Sequence, residues 1–279
     1  MAVPPFRERL QGSARTNRSW LCVGLDVDPD LVPRSVRTDD IAEWVPRFLL
    51  GVVEATRDLV CCFKPNIAFF EALGLPGQQA LRSVLAQMPR DIPVLIDAKR
   101  GDMANTMRAY ARAMFEDLGA DAVTVNPYQG GDALEPFLRY PGKGVFVLCK
   151  TSNPGSGEIQ DLPVPPHGEP LFLHVARRAL SWERQADLGL VVGATFPRDI
   201  AAVRAVAADV PLLIPGVGAQ SGDLEAAVAA AGQPALINAS RSVLYASRGS
   251  DWQTAARAEA ERLRAAIQAA HAQLATPAG

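Results

Sequence analysis

The segment Ile92-Pro93-Val94-Leu95-Ile96-Asp97-Ala98-Lys99-Arg100-Gly101-Asp102 joins an apolar run to a cluster of charged side chains. A short apolar run of this kind is typical of a strand that is buried on both faces. Side chains alternate along a strand, so we expect Asp97 and Lys99 on one side, within reach of each other. Asp102 follows a glycine that allows the chain to turn. The segment therefore predicts two carboxylates that flank the Lys99 ammonium at the end of a buried strand.

The same cluster also has a purely structural interpretation. Asp97 and Lys99 could form a stabilising ion pair, and Asp102 could be the N-cap of the helix predicted after it, a position in which aspartate is common. Ligands of α/β proteins, however, bind at the carboxyl ends of the strands, which is where this cluster lies. We therefore favour a functional site.

Short strand-like runs alternate with helical patterns along the whole chain. Helical spacing of apolar residues is found in the segments 41–53, 103–118, 201–207, 224–231 and 252–270. Eight such units in about 250 residues predict an α/β fold, a (β/α)8 TIM barrel, with a doubly wound open sheet as the alternative. The predicted strands are Trp20–Asp26, Cys61–Lys64, Val94–Ala98, Ala122–Asn126, Val145–Cys149, Leu188–Val192, Leu212–Pro215 and Ala235–Ala239.

The chain shows no composition shift or linker that would divide it, so we predict a single domain over residues 1–279. Residues 1–19 are expected to cap the bottom of the barrel, and 275–279 are expected to form a flexible tail. The connection from Thr151 to Pro170 is rich in Gly and Pro and is too long for an ordinary strand-to-helix loop. It is therefore predicted to be a binding loop, and a tolerated surface insertion is the alternative for its middle, Ile159–Pro166.

The composition excludes several classes of protein. The formal net charge is −2, so no broad positive field favours nucleic acid or an anionic membrane as a partner. No apolar run is long enough to span a bilayer and no signal segment is recognisable, so we expect a cytoplasmic protein. The four cysteines fall in apolar runs and are expected to be core thiols, and the three histidines form no H-E-x-x-H motif. We therefore predict no metal site.

Two late segments have the features of a phosphate site. The seventh strand leads into a glycine-rich turn with Gly216 and Gly218, and the eighth leads towards Arg241. Barrels frequently bind phosphate with the loops after these two strands, and a guanidinium suits an anion of that shape. A G-x-G pair also occurs in dinucleotide-binding proteins, but too little chain remains for a nucleotide-binding half. Phosphate is therefore the predicted ligand here.

Six motifs follow one another along the chain at the ends of the predicted strands. They are Gly24–Asp26 (GLD), Phe63–Asn66 (FKPN), Asp97–Asp102 (DAKRGD), Val125–Tyr128 (VNPY), Lys150–Ser156 (KTSNPGS) and Pro215–Gln220 (PGVGAQ). In this order they resemble orotidine 5′-phosphate decarboxylase, specifically its longer bacterial type. The resemblance implies a dimeric (β/α)8 enzyme that converts orotidine 5′-phosphate to UMP and carbon dioxide without a metal or an organic cofactor. This reaction is the last step of pyrimidine nucleotide synthesis.

The resemblance also implies catalytic residues. Lys99 matches the residue that donates a proton to C6 of the pyrimidine, and Asp97 lies beside it. Asp102 and Thr106 match residues that reach the active site of the partner subunit in a homodimer. These roles fit the chemistry, because loss of carbon dioxide leaves a carbanion that a nearby cation can stabilise and then protonate.

The binding residues are implied in the same way. Asp26 and Lys64 match positions that hold the ribose hydroxyls, and Ser152 matches one that contacts the pyrimidine. Gln220 and Arg241 match positions that bind the phosphate. Two other functions stay open: a related sugar-phosphate lyase such as a keto-gulonate phosphate decarboxylase, whose carboxylates would hold Mg²⁺, and a catalytically silent nucleotide-binding protein.

Overall fold

A computed structural model describes residues 4–216 and 224–275 of the chain. Eight parallel strands form the centre of the fold. Their hydrogen-bonded order is β2-β1-β8-β7-β6-β5-β4-β3. The strands are β1 (Leu21–Gly24), β2 (Cys62–Lys64), β3 (Leu95–Arg100), β4 (Ala122–Val125), β5 (Gly144–Lys150), β6 (Asp187–Val192), β7 (Leu212–Pro215) and β8 (Ala235–Ala239). All eight coincide with predicted strands, with ends that differ by two residues or fewer.

The two ends of this sheet meet between β2 and β3. Parallel bridges join Phe63 to Val94 and Asn66 to Asp97. The Phe63 N–H donates to the Pro93 carbonyl at 3.1 Å, and the Asp97 N–H donates to the Pro65 carbonyl at 2.9 Å. The sheet therefore closes into a (β/α)8 barrel, which confirms the predicted fold and excludes the open sheet.

Helices surround the barrel. The predicted helical segments overlap α2, α5, α9, α10 and α12, and α5 continues into one π-helical turn at Ala113–Asp117. No helix in the described ranges is both long and apolar enough to cross a membrane. The helices are α1 (Phe6–Thr16), α2 (Ile41–Thr56), α3 (Ile67–Glu71), α4 (Gly74–Ala86), α5 (Ala104–Arg112), α6 (Gly131–Leu138), α7 (Gly157–Gln160), α8 (Leu171–Ser181), α9 (Pro197–Val206), α10 (Leu224–Ala231), α11 (Arg241–Leu244) and α12 (Trp252–Ala275).

The lower part of the barrel interior is apolar. Leu95, Ala122 and Phe146 pack there with residues of the other strands and with Phe6 and Leu10 of α1. The Phe6 ring meets the Phe146 ring edge-on, with centroids 5.7 Å apart. Helix α1 therefore packs at the end where the strands begin, and the end where they finish is left for polar groups.

Four polar side chains lie two positions further along β2, β3, β4 and β8 than the apolar residues of the lower interior. They are buried, with exposed fractions of 2% for Lys64, 8% for Asp97, 0% for Thr124 and 6% for Asn238. Since inward-facing positions repeat every second residue, these four side chains form the next layer of the interior. Burial of polar groups costs free energy unless they are paired, so this polar layer is a candidate functional site.

The four cysteines are free and buried, as predicted. Burial raises the pKa of the Cys61, Cys62 and Cys149 thiols well above the ordinary value. A thiol that resists ionisation is a poor nucleophile, so these side chains act as small apolar groups in the core.

The long connection after β5 has internal structure. A 3₁₀ turn at Pro154–Ser156 leads into α7, and a two-stranded hairpin pairs Pro163–Val164 with Glu169–Pro170 before α8 begins. At the other end of the chain, Ala275 ends α12, and the remaining residues of the predicted tail, 276–279, lie outside the described residues.

Candidate active site

A cavity of about 380 Å³ opens at the carboxyl ends of the strands. Most of the binding residues predicted from the sequence line it, and they come from β1, β2, β3, β5, β7 and β8 or directly follow these strands. Residues distant in sequence therefore converge at the end of the barrel that carries the sites of such folds. The predicted residues in its wall are Asp26, Lys64, Asp97, Ser152, Gly216 and Arg241.

Asp97 is the centre of the site. Its Oδ1 accepts hydrogen bonds from Lys99 Nζ at 2.7 Å and from Thr124 Oγ1 at 2.8 Å. Its Oδ2 accepts one from Lys64 Nζ at 3.2 Å. Lys64, Asp97 and Lys99 thus form a line of alternating charge, which we call the charge row.

The members of the charge row shift the pKa values of one another. Burial alone would raise the pKa of Asp97, but Lys64, Lys99 and the hydrogen bonds from Lys99 and Thr124 lower it to about 2. Burial lowers the pKa of Lys64, but the carboxylates of Asp26 and Asp97 outweigh this effect and raise the pKa above its usual value. At neutral pH Asp97 is therefore ionised and Lys64 is protonated.

Lys99 reaches Asp97 by a different geometry from the one predicted. The register of β3 against β4 shifts between Ile96 and Arg100, and Lys99 has a φ of +47°. The Thr124 hydroxyl accepts hydrogen bonds from the Ala98 N–H at 3.0 Å and the Lys99 N–H at 2.9 Å. Simple strand alternation is thus wrong as the reason for the contact, because a bulge held by Thr124 aims the lysine. The Lys99 side chain is 48% exposed and pairs with Asp97, which lines the cavity, but Lys99 itself is not among the lining residues.

Asp102 does not flank Lys99 within one chain, which corrects the prediction of two carboxylates around the ammonium. The ion pair of Lys99 among the described residues is with Asp97. The Asp102 carboxylate accepts a hydrogen bond from the Met103 N–H at 2.7 Å. The N-cap of α5 is Met103, so the N-cap interpretation of Asp102 is also wrong. Thr106, in the first turn of α5, is half-buried and likewise lies outside the cavity wall.

Tyr245 fixes one side of the cavity and was missed by the sequence analysis. Its hydroxyl donates to the Asp26 carbonyl at 2.9 Å and accepts from the Asp28 N–H at 2.6 Å. The Asp26 carboxylate accepts from the Asn66 N–H at 3.2 Å. Burial raises the pKa of Tyr245, so the hydroxyl remains a donor at neutral pH. A lone tyrosine after a short helix gives no signal of this role in the sequence.

Thr124 is the second functional residue that sequence reasoning missed. It is the one polar residue of β4, a strand that otherwise reads Ala-Val-Val. A polar residue at an inward position of an apolar strand is a usable signal, because a buried hydroxyl needs partners.

Two of the residues predicted to bind phosphate also line the cavity. Gly216 follows β7 with a φ of +97°, a conformation that favours glycine. Arg241 is the first residue of α11 and lines the cavity. An added Cβ at Gly24 would lie 1.9 Å from Ser240 Oγ, so β1 and the end of β8 approach closely here. The predicted residues Gly218 and Gln220 lie outside the described residues.

The donors of the site suit an organic anion better than a metal ion. Within residues 4–216 and 224–275, no group of three or more His, Cys, Asp or Glu side chains is arranged to hold a metal. Both Asp97 oxygens already accept hydrogen bonds, and two of the three donors are ammonium groups. A divalent cation at Asp97 would face both positive charges, so the geometry disfavours the magnesium-dependent alternative.

Known proteins are similar to this chain over nearly its full length. A family model described as Orotidine 5′-phosphate decarboxylase / HUMPS family matches residues 19–258. The chain is 54% identical to an orotidine 5′-phosphate decarboxylase of Roseiflexus sp. (strain RS-1), over 95% of this chain and 98% of the relative. It is 50% identical to one from Thermomicrobium roseum, over 98% and 99% of the two chains.

Solved structures give the same result. The structure of Leishmania donovani OMP decarboxylase is 40% identical, with a TM-score of 0.79 and coverage of 95% of this chain and 99% of that one. A putative orotidine-monophosphate-decarboxylase from Toxoplasma gondii is 37% identical, with a TM-score of 0.84 and coverage of 97% and 98%. These similarities extend over nearly the full length. The chain belongs to the orotidine 5′-phosphate decarboxylase / HUMPS family.

Proposed function

We propose that this chain decarboxylates orotidine 5′-phosphate to UMP and carbon dioxide, with Lys99 as the catalytic acid. The observation that supports this function best is the charge row, in which Lys99 pairs with Asp97, because Asp97 and Lys64 line a cavity that Arg241 also lines. Decarboxylation of a nucleoside monophosphate requires one cationic group that binds the phosphate and another near C6 of the pyrimidine. Arg241 at the cavity wall and Lys99 beside Asp97 supply these two groups in the proposal.

Lys99 serves two steps of the reaction. As the bond from C6 to the carboxylate breaks, its electrons remain on C6, and the ammonium stabilises the negative charge that develops there. The ammonium then transfers a proton to C6, which gives UMP and a neutral amine that regains a proton from solvent. The Asp97 carboxylate, 2.7 Å from Lys99 Nζ, accepts a hydrogen bond from the ammonium and orients it before the reaction.

The remaining wall residues bind the nucleotide in this proposal. Asp26 and Lys64 hold the ribose hydroxyls, and Ser152 contacts the pyrimidine. Gly216 and Arg241 bind the phosphate, together with Gly218 and Gln220. Phosphate binding far from C6 supplies energy that orients the ring for the chemical step, so Arg241 contributes to rate as well as to affinity.

The active site is proposed to be completed by a second copy of the chain. Asp102 has no ion-pair partner among the described residues of its own chain, and Thr106 lies one turn further on. Two large apolar side chains at the same end of the barrel are exposed, Met103 at 67% and Tyr128 at 86%. A homodimer that covers them would bring Asp102 and Thr106 to the partner's Lys99. A cytoplasmic location and the lack of nucleic-acid partners stay predictions from the sequence.

Loss of the orotate absorbance on addition of orotidine 5′-phosphate tests the function. We expect turnover in the native protein, the same turnover in EDTA, and loss of turnover in Lys99→Ala while that variant stays folded. Turnover that disappears in EDTA would favour the magnesium-dependent lyase. A native protein that binds UMP without any turnover would be the silent binder instead.

A further inference from the structure

Lys150, the last residue of β5, is a buried lysine that the proposed reaction does not use. It is 1% exposed and is not among the residues that line the active-site cavity. Phe146 and Leu148 of the same strand pack with the inner cluster of the barrel, but the register against β6 shifts between Leu148 and Lys150. A buried ammonium is costly unless it is paired, so its partners indicate its role.

The Lys150 ammonium lies among two carboxylates and two aromatic rings. It forms a short ion pair with Asp161 and lies 3.9 Å from Asp199 of α9. Its Nζ is 5.0 Å from the ring centroid of Phe196 and 5.6 Å from that of Phe172 in α8. Asp199 and both rings belong to the helical layer around the barrel, whereas Asp161 belongs to the long connection after β5. Lys150 therefore joins that connection to the rigid body of the protein.

Hydrogen bonds of the Gln160 side-chain amide join the two ends of the same connection. The Thr151 N–H donates to Gln160 Oε1 at 2.9 Å, and Gln160 Nε2 donates to Thr151 Oγ1 at 2.8 Å. Gln160 is the neighbour of Asp161, so the start and the end of residues 151–161 are held together at one place. Ser152, which lines the cavity, lies immediately inside this closure.

Ser152 is also held from the side of β6. The Gly193 N–H donates to the Lys150 carbonyl at 2.8 Å. An added Cβ at Gly193 would lie 2.8 Å from both the backbone nitrogen and the Cβ of Ser152, so the two residues are in close contact. The position of Ser152 thus depends on Lys150 before it and on the fastening of the connection after it.

We propose that Lys150 is a positioning residue, whose ion pair with Asp161 fastens residues 151–161 and holds Ser152 at the cavity wall. The inference rests on the proposed function for the role of Ser152 against the pyrimidine. A buried lysine suits this task because Asp161 has half of its side chain in solvent and the ammonium keeps it in place, while Asp199 and the aromatic rings fix the ammonium itself.

Asp161→Asn is the informative variant, because the Asp161 side chain is 50% exposed and its replacement leaves the core intact. We expect kcat/KM for orotidine 5′-phosphate to fall about tenfold or more, since small displacements of positioning groups have effects of this size. Glu158→Gln is the matched control: it removes a carboxylate from the same connection that forms no ion pair in the described structure. Lys150→Met removes the other partner, and Asp161→Asn still decides the question if Lys150→Met does not fold.

A double-mutant cycle with Ser152→Ala separates positioning from general stability. If Lys150 and Asp161 act through Ser152, Asp161→Asn should cost about tenfold in the native background and less than about twofold in the Ser152→Ala background. Equal losses in both backgrounds, or no loss in either, would overturn the inference. Amide hydrogen exchange at residues 152–161 should accelerate in Asp161→Asn, and unchanged exchange would overturn it as well. Failure of the proposed function would look different, because the native protein itself would then show no turnover.

Discussion

Thr124→Val removes a single hydroxyl that holds the catalytic lysine in its bulge. The Oγ1 atom accepts from the Ala98 and Lys99 N–H groups, at 3.0 and 2.9 Å, and donates to Asp97 Oδ1 at 2.8 Å. Valine has nearly the same shape and can make none of these bonds. The substitution therefore changes hydrogen bonding with little change in packing.

The expected cost follows from the three lost bonds. A buried N–H without a partner costs about 1–3 kcal/mol, and a hydrogen bond to a carboxylate is worth about 1.5–3 kcal/mol. Because Lys99 is partly exposed, water reaches its N–H more easily than that of Ala98, and we expect a loss of about 3–5 kcal/mol in the free energy of unfolding. The positive φ of Lys99 then loses its support, and a displacement of the ammonium by about 1 Å would lower kcat/KM about 100-fold.

Urea unfolding and steady-state formation of UMP measure the two effects. Thr124→Ser is the control, because it keeps the hydroxyl and loses only a buried methyl group. We expect the serine variant to lose about 1 kcal/mol and to keep most of its activity. A valine variant as stable and as active as the serine variant would refute the argument that Thr124 holds the charge row in place.

Three other measurements test the site. Mixing inactive Lys99→Ala and Asp102→Ala proteins should restore part of the activity in hybrid dimers, whereas no recovery would indicate sites built within one chain. Arg241→Ala should weaken binding of UMP, measured by calorimetry, much more than that of uridine, and equal weakening would remove Arg241 from the phosphate site. The pKa of Asp97 is lowered to about 2, so its contribution to stability is present above its unfolded pKa of about 4 and is lost as pH falls towards 2. Acid unfolding of Asp97→Asn should lack this part of the pH dependence, and an unchanged profile would contradict the assignment.

The strands of this fold could be predicted from the sequence because each is buried on both faces. Their apolar runs are short and stand between polar turns, so the eight strand segments were recognisable without tertiary information. Several helices could not be predicted in this way. Helix α4 has Gly74 and Pro76 in its first turn, and α6 contains Pro136, and such residues locally argue against a helix although the chain tolerates them in these positions.

The membership of the site could be predicted better than its geometry. Charged residues after apolar strands identified Asp26, Lys64 and Asp97, because the carboxyl ends of parallel strands meet at one end of a barrel. Thr124 and Tyr245 bind other residues of the site through hydroxyl groups, and their partners are distant in sequence. Such contacts depend on the register of the barrel, which no local pattern contains.

Two lysines show why register matters for function. Lys99 and Lys150 both stand at the carboxyl ends of strands, each two residues after an inward-facing side chain, Asp97 or Leu148. Alternation alone would turn both ammonium groups into the mouth of the barrel, where they would repel Lys64 and each other. A bulge in β3 directs Lys99 to Asp97, and a bulge in β5 turns Lys150 outward to Asp161. The two bulges thus give similar residues different tasks: one lysine is available to protonate a substrate, and the other is committed to holding the loop that contacts it.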